Sequence, residues 1–142
     1  MKILKTKFEE FKTIIYELIN DNNEKVSCAG IYYDISARGC LNGGEALIKC
    51  LPIKINNKNE IIYIAVVRTD KEKNRNKGYS KALIREIIND FNGKIITVHP
   101  SPCDERFTKR LRNYYEKIGF KPFIYSSCKK YTNFIFEFLD KR

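Results

Sequence analysis

The chain has 142 residues, enough for one domain with its own core, and 43% of them are apolar. Five cysteines, at positions 28, 40, 50, 103 and 128, have an odd count and no C-x-x-C spacing. That excludes a disulfide framework and a zinc pattern, and leaves five free thiols. A formal net charge of +10 predicts attraction to anions such as nucleotide phosphates, nucleic acid or acidic surfaces, without choosing among them.

No apolar run approaches the roughly 18 residues of a membrane-spanning helix. No apolar stretch follows Met1-Lys2-Ile3-Leu4-Lys5, so neither a signal peptide nor a membrane partner is expected, and the reducing cytoplasm is the default location. Ile3-Leu4 can supply a short first strand. Residues 8–20 then read as a helix, because Phe8, Phe11, Ile15, Leu18 and Ile19 recur at helical spacing. Asp21-Asn22-Asn23 ends it. Val26 to Ile35 is expected as a strand. Asn42-Gly43-Gly44 signals a turn, and Ala46 to Ile55 reads as the returning strand, with Pro52 marking an edge or bulge. After a second turn at Asn56 to Asn59, Ile61 to Val67 is continuously apolar and β-branched, the pattern of a central strand covered on both faces.

A polar stretch, Arg68 to Lys77, leads to Gly78 and a second helix whose apolar face is Leu83, Ile84, Ile87, Ile88 and Phe91. Ile95 to Val98 is a short strand. Pro100 and Pro102 break the chain, Asp104 is a candidate cap, and Phe107, Leu111, Tyr114, Tyr115 and Ile118 stripe a third helix that Gly119 ends. Phe120 to Tyr125 and Tyr131 to Phe138 are the closing strands, the latter with Thr132, Phe134, Phe136 and Phe138 on one face. The expected order is βαβββαβαββ, a single mixed α/β domain around one sheet with a βαβ unit at its centre.

Arg75-Asn76-Lys77-Gly78-Tyr79-Ser80 lies between the buried strand and the second helix. A helix start exposes backbone N–H groups that have no internal partner, and the helix dipole adds positive character there. A glycine lets a ligand approach closely, and Lys71, Lys73, Arg75, Lys77 and Lys81 add charge. The sum suits a pyrophosphate. Local physics alone leaves a tight turn flanked by solvated lysines as an equal alternative.

The segment resembles motif A of the GNAT (GCN5-related N-acetyltransferase) superfamily, in which an Arg or Gln is followed by x-x-G-x-G/A. The matching residues are Arg75, Gly78 and Ser80. Ser80 replaces the usual Gly or Ala, the preceding loop is longer than the family norm, and the common proline is missing. Downstream, Tyr115-Glu116-Lys117-Ile118-Gly119-Phe120 resembles motif B of the same superfamily. The resemblance covers Ile61 to about Tyr125, while the first 60 residues match only in their coarse order of elements.

The resemblance implies a GNAT-type mixed sheet of six to seven strands with three to four helices. Two central strands, Ile61–Val67 and Ile95–Val98, would splay apart around the pantetheine arm of acetyl-CoA. Val66 and Val67 would offer backbone groups to it, and Arg75, Asn76, Lys77, Gly78, Tyr79 and Ser80 would hold the pyrophosphate. The implied reaction is direct attack of a primary amine, on a small molecule or a protein, on the thioester, without a metal. It needs an acid for the departing thiolate, for which the family position is Tyr115, and a base for the ammonium. His99, the one histidine, stands where that strand ends and titrates in the right range, while Glu60 opens the central strand. Both also have plain structural readings. A His99/Cys103 thiol nucleophile has no established geometry, and the Phe-rich last strand reads as core rather than as a platform for bases. The alternative function is a basic nucleic-acid-binding module on the same fold, resting on the net charge and on Lys109-Arg110-Leu111-Arg112. Monomer and homodimer are both compatible with the sequence.

Overall fold

A computed structural model describes residues 1–37, 44–100, 108–126 and 133–142. Its strands are β1 (Lys2–Phe8), β2 (Thr13–Ile19), β3 (Lys25–Tyr32), β4 (Ile61–Arg68), β5 (Ile95–Val98), β6 (Lys121–Ser126) and β7 (Asn133–Asp140). Its helices are α1 (Glu45–Cys50), α2 (Tyr79–Asp90) and α3 (Thr108–Lys117). The seven strands form one sheet in the order β1-β2-β3-β4-β5-β7-β6. Only β4 and β5 run parallel, joined through α2 as the expected βαβ unit. The mixed sheet, with three α-helices among the described residues, is the predicted fold class.

Two expected elements are different. Residues 8–20 are not a helix. A short 3₁₀ turn over Glu9–Phe11, closed by Lys12 at φ 52°, joins β1 and β2 as an antiparallel hairpin. Ile14, Tyr16 and Leu18 alternate onto one face, and the β-branched run Thr13-Ile14-Ile15 favours the pleated sheet it completes. The helical spacing of the phenylalanines is coincidental; Phe11 is 57% exposed. Residues 46–55 are not a strand either. Gly44, at φ 75°, caps the short helix α1, whose Leu47 and Leu51 are buried four residues apart. Pro52 forces Leu51 into extended backbone (ψ 125°) and stops the helix there. Asp104, Cys103, Cys40, Cys128, Tyr131 and Thr132 lie outside the described residues. Cys28 and Cys50 are free thiols.

The first half of β4, up to Ile64, is covered on both faces as its apolar run predicts, but Ala65 and Val66 are exposed. Ile62 and Ile64 join Ile96 and Val98 of β5 and Leu83, Ile84 and Ile87 of α2 in one cluster, which also takes in Tyr115 and Phe120. Ile61 and Ile95 face the other way, against Leu47, Leu51, Phe123, Phe136 and Phe138. Each such side chain contributes about 2 kcal/mol by leaving water. The helices α2 and α3 thus occupy one face of the sheet, and α1 with the chain around it occupies part of the other. The β1–β2 hairpin is tied to the end of α2: Tyr16 Oη donates to Asp90 at 2.8 Å, and Lys5 Nζ pairs with Glu86 at 2.6 Å. No helix among the described residues is long and apolar enough to cross a membrane.

Candidate active site

β4 has eight residues and β5 has four. Their pairing runs from Ile61↔Ile95 to Ile64↔Val98 and stops. Beyond that point β4 continues through Ala65–Arg68, still paired with β3 but with no ladder partner on the β5 side among the described residues. The β3 register passes from Ile31↔Ile64 to Gly30↔Val66, so Ala65 is a bulge. A bulge bends its strand and increases the local twist, here at the point where the pairing with β5 ends. Exposure records the result. Ile61, Ile62 and Ile64 are buried, whereas Ala65 is exposed and Val66 is 41% exposed. An apolar residue left open in the middle of a seven-stranded sheet marks a gap between strands. On its rim β4 has backbone groups that no strand pairs among the described residues.

The 75–80 loop stands at the same end of β4. Gly78 caps α2 at φ 77°, a left-handed conformation that costs any other residue. No side chain caps the helix, and its first turn carries no acidic residue, so the leading N–H groups keep their capacity for an anion. A Cβ built on Gly78 would meet nothing within 4 Å, so the space before the loop is open. Asn76 is also left-handed, at φ 61°. Arg75 turns back on the loop: its Nε donates to the Thr69 carbonyl at 3.2 Å and its Nη2 to that of Asp70 at 3.3 Å. Ser80 is not an idle replacement for glycine. Its hydroxyl lies 3.1 Å from that of Thr69, which in turn lies 3.1 Å from that of Ser27, linking helix, loop and β3. Tyr79 is half-buried and packs against the core, while Lys77 is exposed.

Of the predicted catalytic residues, His99 stands where the pairing of β4 with β5 ends, Tyr115 is buried in the core cluster that holds Ile64 and Val98, and Glu60 lies at the other end of β4. Tyr115 is 3% exposed on α3, edge-on to Phe120 at 5.1 Å. Burial, then Tyr114 and Glu137, push its phenol well above the ordinary range, so it is a neutral O–H donor at physiological pH. His99 follows Val98, where β4 and β5 part, on the opposite face. Its ring stacks on Phe136 at 4.6 Å and meets Phe134 edge-on at 5.4 Å. Burial lowers its pKa, keeping the imidazole neutral at pH 7. Glu60 sits at the far end of β4. It closes a capping box with Asn57 and pairs with Arg142 at 3.4 Å, so it is not brought to the gap.

One residue escaped the sequence reading. Glu137 on β7 is fully buried beneath α3, with Arg112 Nε 3.8 Å away. Burial, then Glu116, raises its carboxyl from an ordinary 4.5 to about 7, against the lowering effect of Arg112. Its signal in the sequence was a lone carboxylate among the apolar residues of Phe134-Ile135-Phe136-Glu137-Phe138-Leu139. The basic run of α3 is divided by the same contact. Lys109 and Arg110 are exposed, but Arg112 is turned under the helix to Glu137, which removes one of the charges counted for a nucleic-acid surface.

No protein-family model and no curated protein matches the sequence. Solved structures do. A Corynebacterium glutamicum protein described as histone acetyltransferase HPA2 and related acetyltransferase superposes with a TM-score of 0.62 at 17% identity, over 92% of this chain and 66% of its own. A Staphylococcus aureus acetyltransferase of the GNAT family gives 0.57 at 13% identity, over 96% of this chain and 72% of its own. The ribosomal-protein-S18-alanine N-acetyltransferase of Escherichia coli gives 0.55 at 12%, over 92% and 70%. The chain thus spans about two thirds of the first of these structures, and at such identities the likeness is one of fold. Parallel strands that part beside an uncapped helix start, in a sheet that superposes on these enzymes, give the chain the GNAT acetyltransferase fold.

Proposed function

We propose that the protein is an acyl-CoA-dependent N-acyltransferase that moves an acetyl group from acetyl-CoA to a primary amine. The observation that carries this reading is the juxtaposition of two features. The open half of β4, Ala65–Arg68, lies beside the uncapped start of α2 at Gly78. A diphosphate suits the first and second turns of α2 and the exposed Lys77. The amides of a pantetheine arm suit the backbone groups at Val66 and Val67 that point away from β3, which would otherwise lose water without compensation. A backbone N–H in this row also suits the thioester oxygen as negative charge develops on it.

The two faces of the gap then divide the proton work. Tyr115 stands on the face of α2 and α3, and His99 on the opposite face. An amine arriving from the His99 side loses its proton to the neutral imidazole and attacks the carbonyl carbon. The thiolate leaves on the other side and takes a proton from Tyr115. Glu60 has no part in this scheme.

Titrating acetyl-CoA by calorimetry and then screening amines for thiol release tests the reading; absence of acetyl-CoA binding would overturn it. Tyr115→Phe is expected to leave acetyl-CoA affinity within about two-fold and to lower turnover by about 10- to 100-fold, because a thiolate needs only modest help to leave. Unchanged turnover would remove Tyr115 as the acid. His99→Gln is expected to lower turnover by a similar factor of about 10 to 100 below pH 8. That loss should shrink at high pH, where the amine is already neutral. A loss independent of pH would assign His99 to packing on Phe136.

A further inference from the structure

β7 runs on past the end of β5: Val98 pairs with Glu137, and Phe134 lies beyond that pair. Phe136 and Phe138 are buried, but Phe134 is 43% exposed. Its ring meets that of His99 edge-on at 5.4 Å, while Phe136 stacks on the same imidazole at 4.6 Å. Phe136 also stacks with Tyr125 at 4.5 Å and with Tyr63 of β4 at 6.2 Å. Val66 faces the same side of the sheet. Ala29 and Ile31 point into the α2 cluster, so Gly30 between them points away from it, and a Cβ built on Gly30 would lie 3.2 Å from Val66 Cγ1. Two exposed apolar side chains, Val66 and Phe134, thus flank the place where β4 and β5 part beside His99.

The charges described on this face do not suit a polycation. Burial alone lowers the His99 pKa, with no carboxylate among the described residues acting on it. Glu17, on β2, stands 3.9 Å from Lys25, and Arg68, at the end of β4, stands 3.3 Å from Asp70. A second ammonium brought to His99 would lose water without a counter-charge from these residues. An aromatic ring would cover Phe134 and Val66, and would gain the offset or edge-on contact that such rings favour. The single ammonium, until it gives up its proton, is attracted to the ring faces around it.

We propose, resting on the acyltransfer reading, that the acceptor is a primary monoamine with an aromatic body, seated between Phe134 and Val66 with its nitrogen at His99. Phe134 selects it, by contact with the acceptor's ring.

The test compares 2-phenylethylamine, n-hexylamine and spermidine as acceptors, read as thiol release at saturating acetyl-CoA. The protein is expected to favour 2-phenylethylamine over n-hexylamine by about ten-fold in kcat/KM, and over spermidine by about 100-fold. In Phe134→Ala the preference over n-hexylamine should shrink to within about two-fold, and Phe134→Tyr should keep it. Should Phe134→Ala fail to fold, Phe134→Leu, apolar but without the ring, reads the same loss. Ile135→Ala, exposed on the opposite face of β7, should leave the preference unchanged. Equal or better turnover of n-hexylamine or spermidine, no turnover of 2-phenylethylamine, or a preference that survives in Phe134→Ala and Phe134→Leu would overturn the proposal. Calorimetry with acetyl-CoA separates the two ideas: absent binding sinks acyltransfer and the acceptor assignment together, while binding with a preference for aliphatic amines sinks the aromatic acceptor alone.

Discussion

Gly78→Glu is expected to weaken acetyl-CoA binding by about a thousand-fold while leaving the protein folded. Hydrogen bonds from backbone N–H to a charged group contribute about 1.5–3 kcal/mol each, so losing two of them amounts to about 4 kcal/mol. The new carboxylate adds repulsion toward a diphosphate at the same point. The cost to the fold is smaller. Gly78 sits at φ 77°, where a side chain is strained by about 1–2 kcal/mol. No protein atom lies within 4 Å of the added Cβ, so the substitution meets no clash. Gly78→Ala is the control, since it carries the same backbone strain without the charge, and should lose only about ten-fold in affinity. Calorimetric titration and thermal melts of the three proteins together check this. If Gly78→Glu binds acetyl-CoA as the wild type does, the start of α2 is not the diphosphate site.

The parts of this site that were legible in the sequence are those fixed by local chemistry. Ile61 to Val67 announces a central strand, though only its first half is buried on both faces, and a glycine between a polar loop and an amphipathic stretch announces the start of α2. The Tyr115 to Phe120 run places the tyrosine one turn before the helix stop. What stayed hidden depends on pairing between distant segments. Nothing in Ala65 marks it as a bulge, because the bulge exists only in its register against Gly30 and Ile31. The brevity of β5 was visible, but not that its early end would expose Val66. The hairpin of β1 and β2 was misread because Phe8, Phe11 and Ile15 happen to fit a helical period. Sheet pairing of Tyr16 with both Lys5 and Ala29 overrides that pattern. Likewise, Leu47 and Leu51 fit helix and strand equally until Gly44 and Pro52 are recognised as a cap and a stop rather than as a hairpin turn and a bulge. Glu137 could be seen as an odd carboxylate in an apolar strand, but Arg112, the cation it meets, lies 25 residues away in the chain, and only the packing of α3 brings the two together.

Glu137→Gln is expected to stabilise the protein at pH 8 by about 3 kcal/mol and to change it little at pH 4. The folded protein holds the Glu137 proton up to about pH 7, whereas the unfolded chain releases it near the ordinary 4.5. Between those values the folded state binds more protons than the unfolded one, so stability falls as pH rises. The benefit of a protonated Glu137 is therefore complete below about 4.5 and is gone once pH has passed through about 7. At roughly 1.4 kcal/mol for each pH unit of difference, the loss is about 3 kcal/mol, large beside the 5–15 kcal/mol that keeps a typical domain folded. Glutamine has the shape of the protonated acid and cannot ionise, so its curve should stay flat where the wild-type curve descends. Urea unfolding of both proteins at several pH values is the measurement. A wild-type curve as flat as the variant's would mean that Glu137 is ionised in the fold throughout, with Arg112 closing to a direct bond. A variant less stable at every pH would mean that the carboxylate form is the one the core was built around.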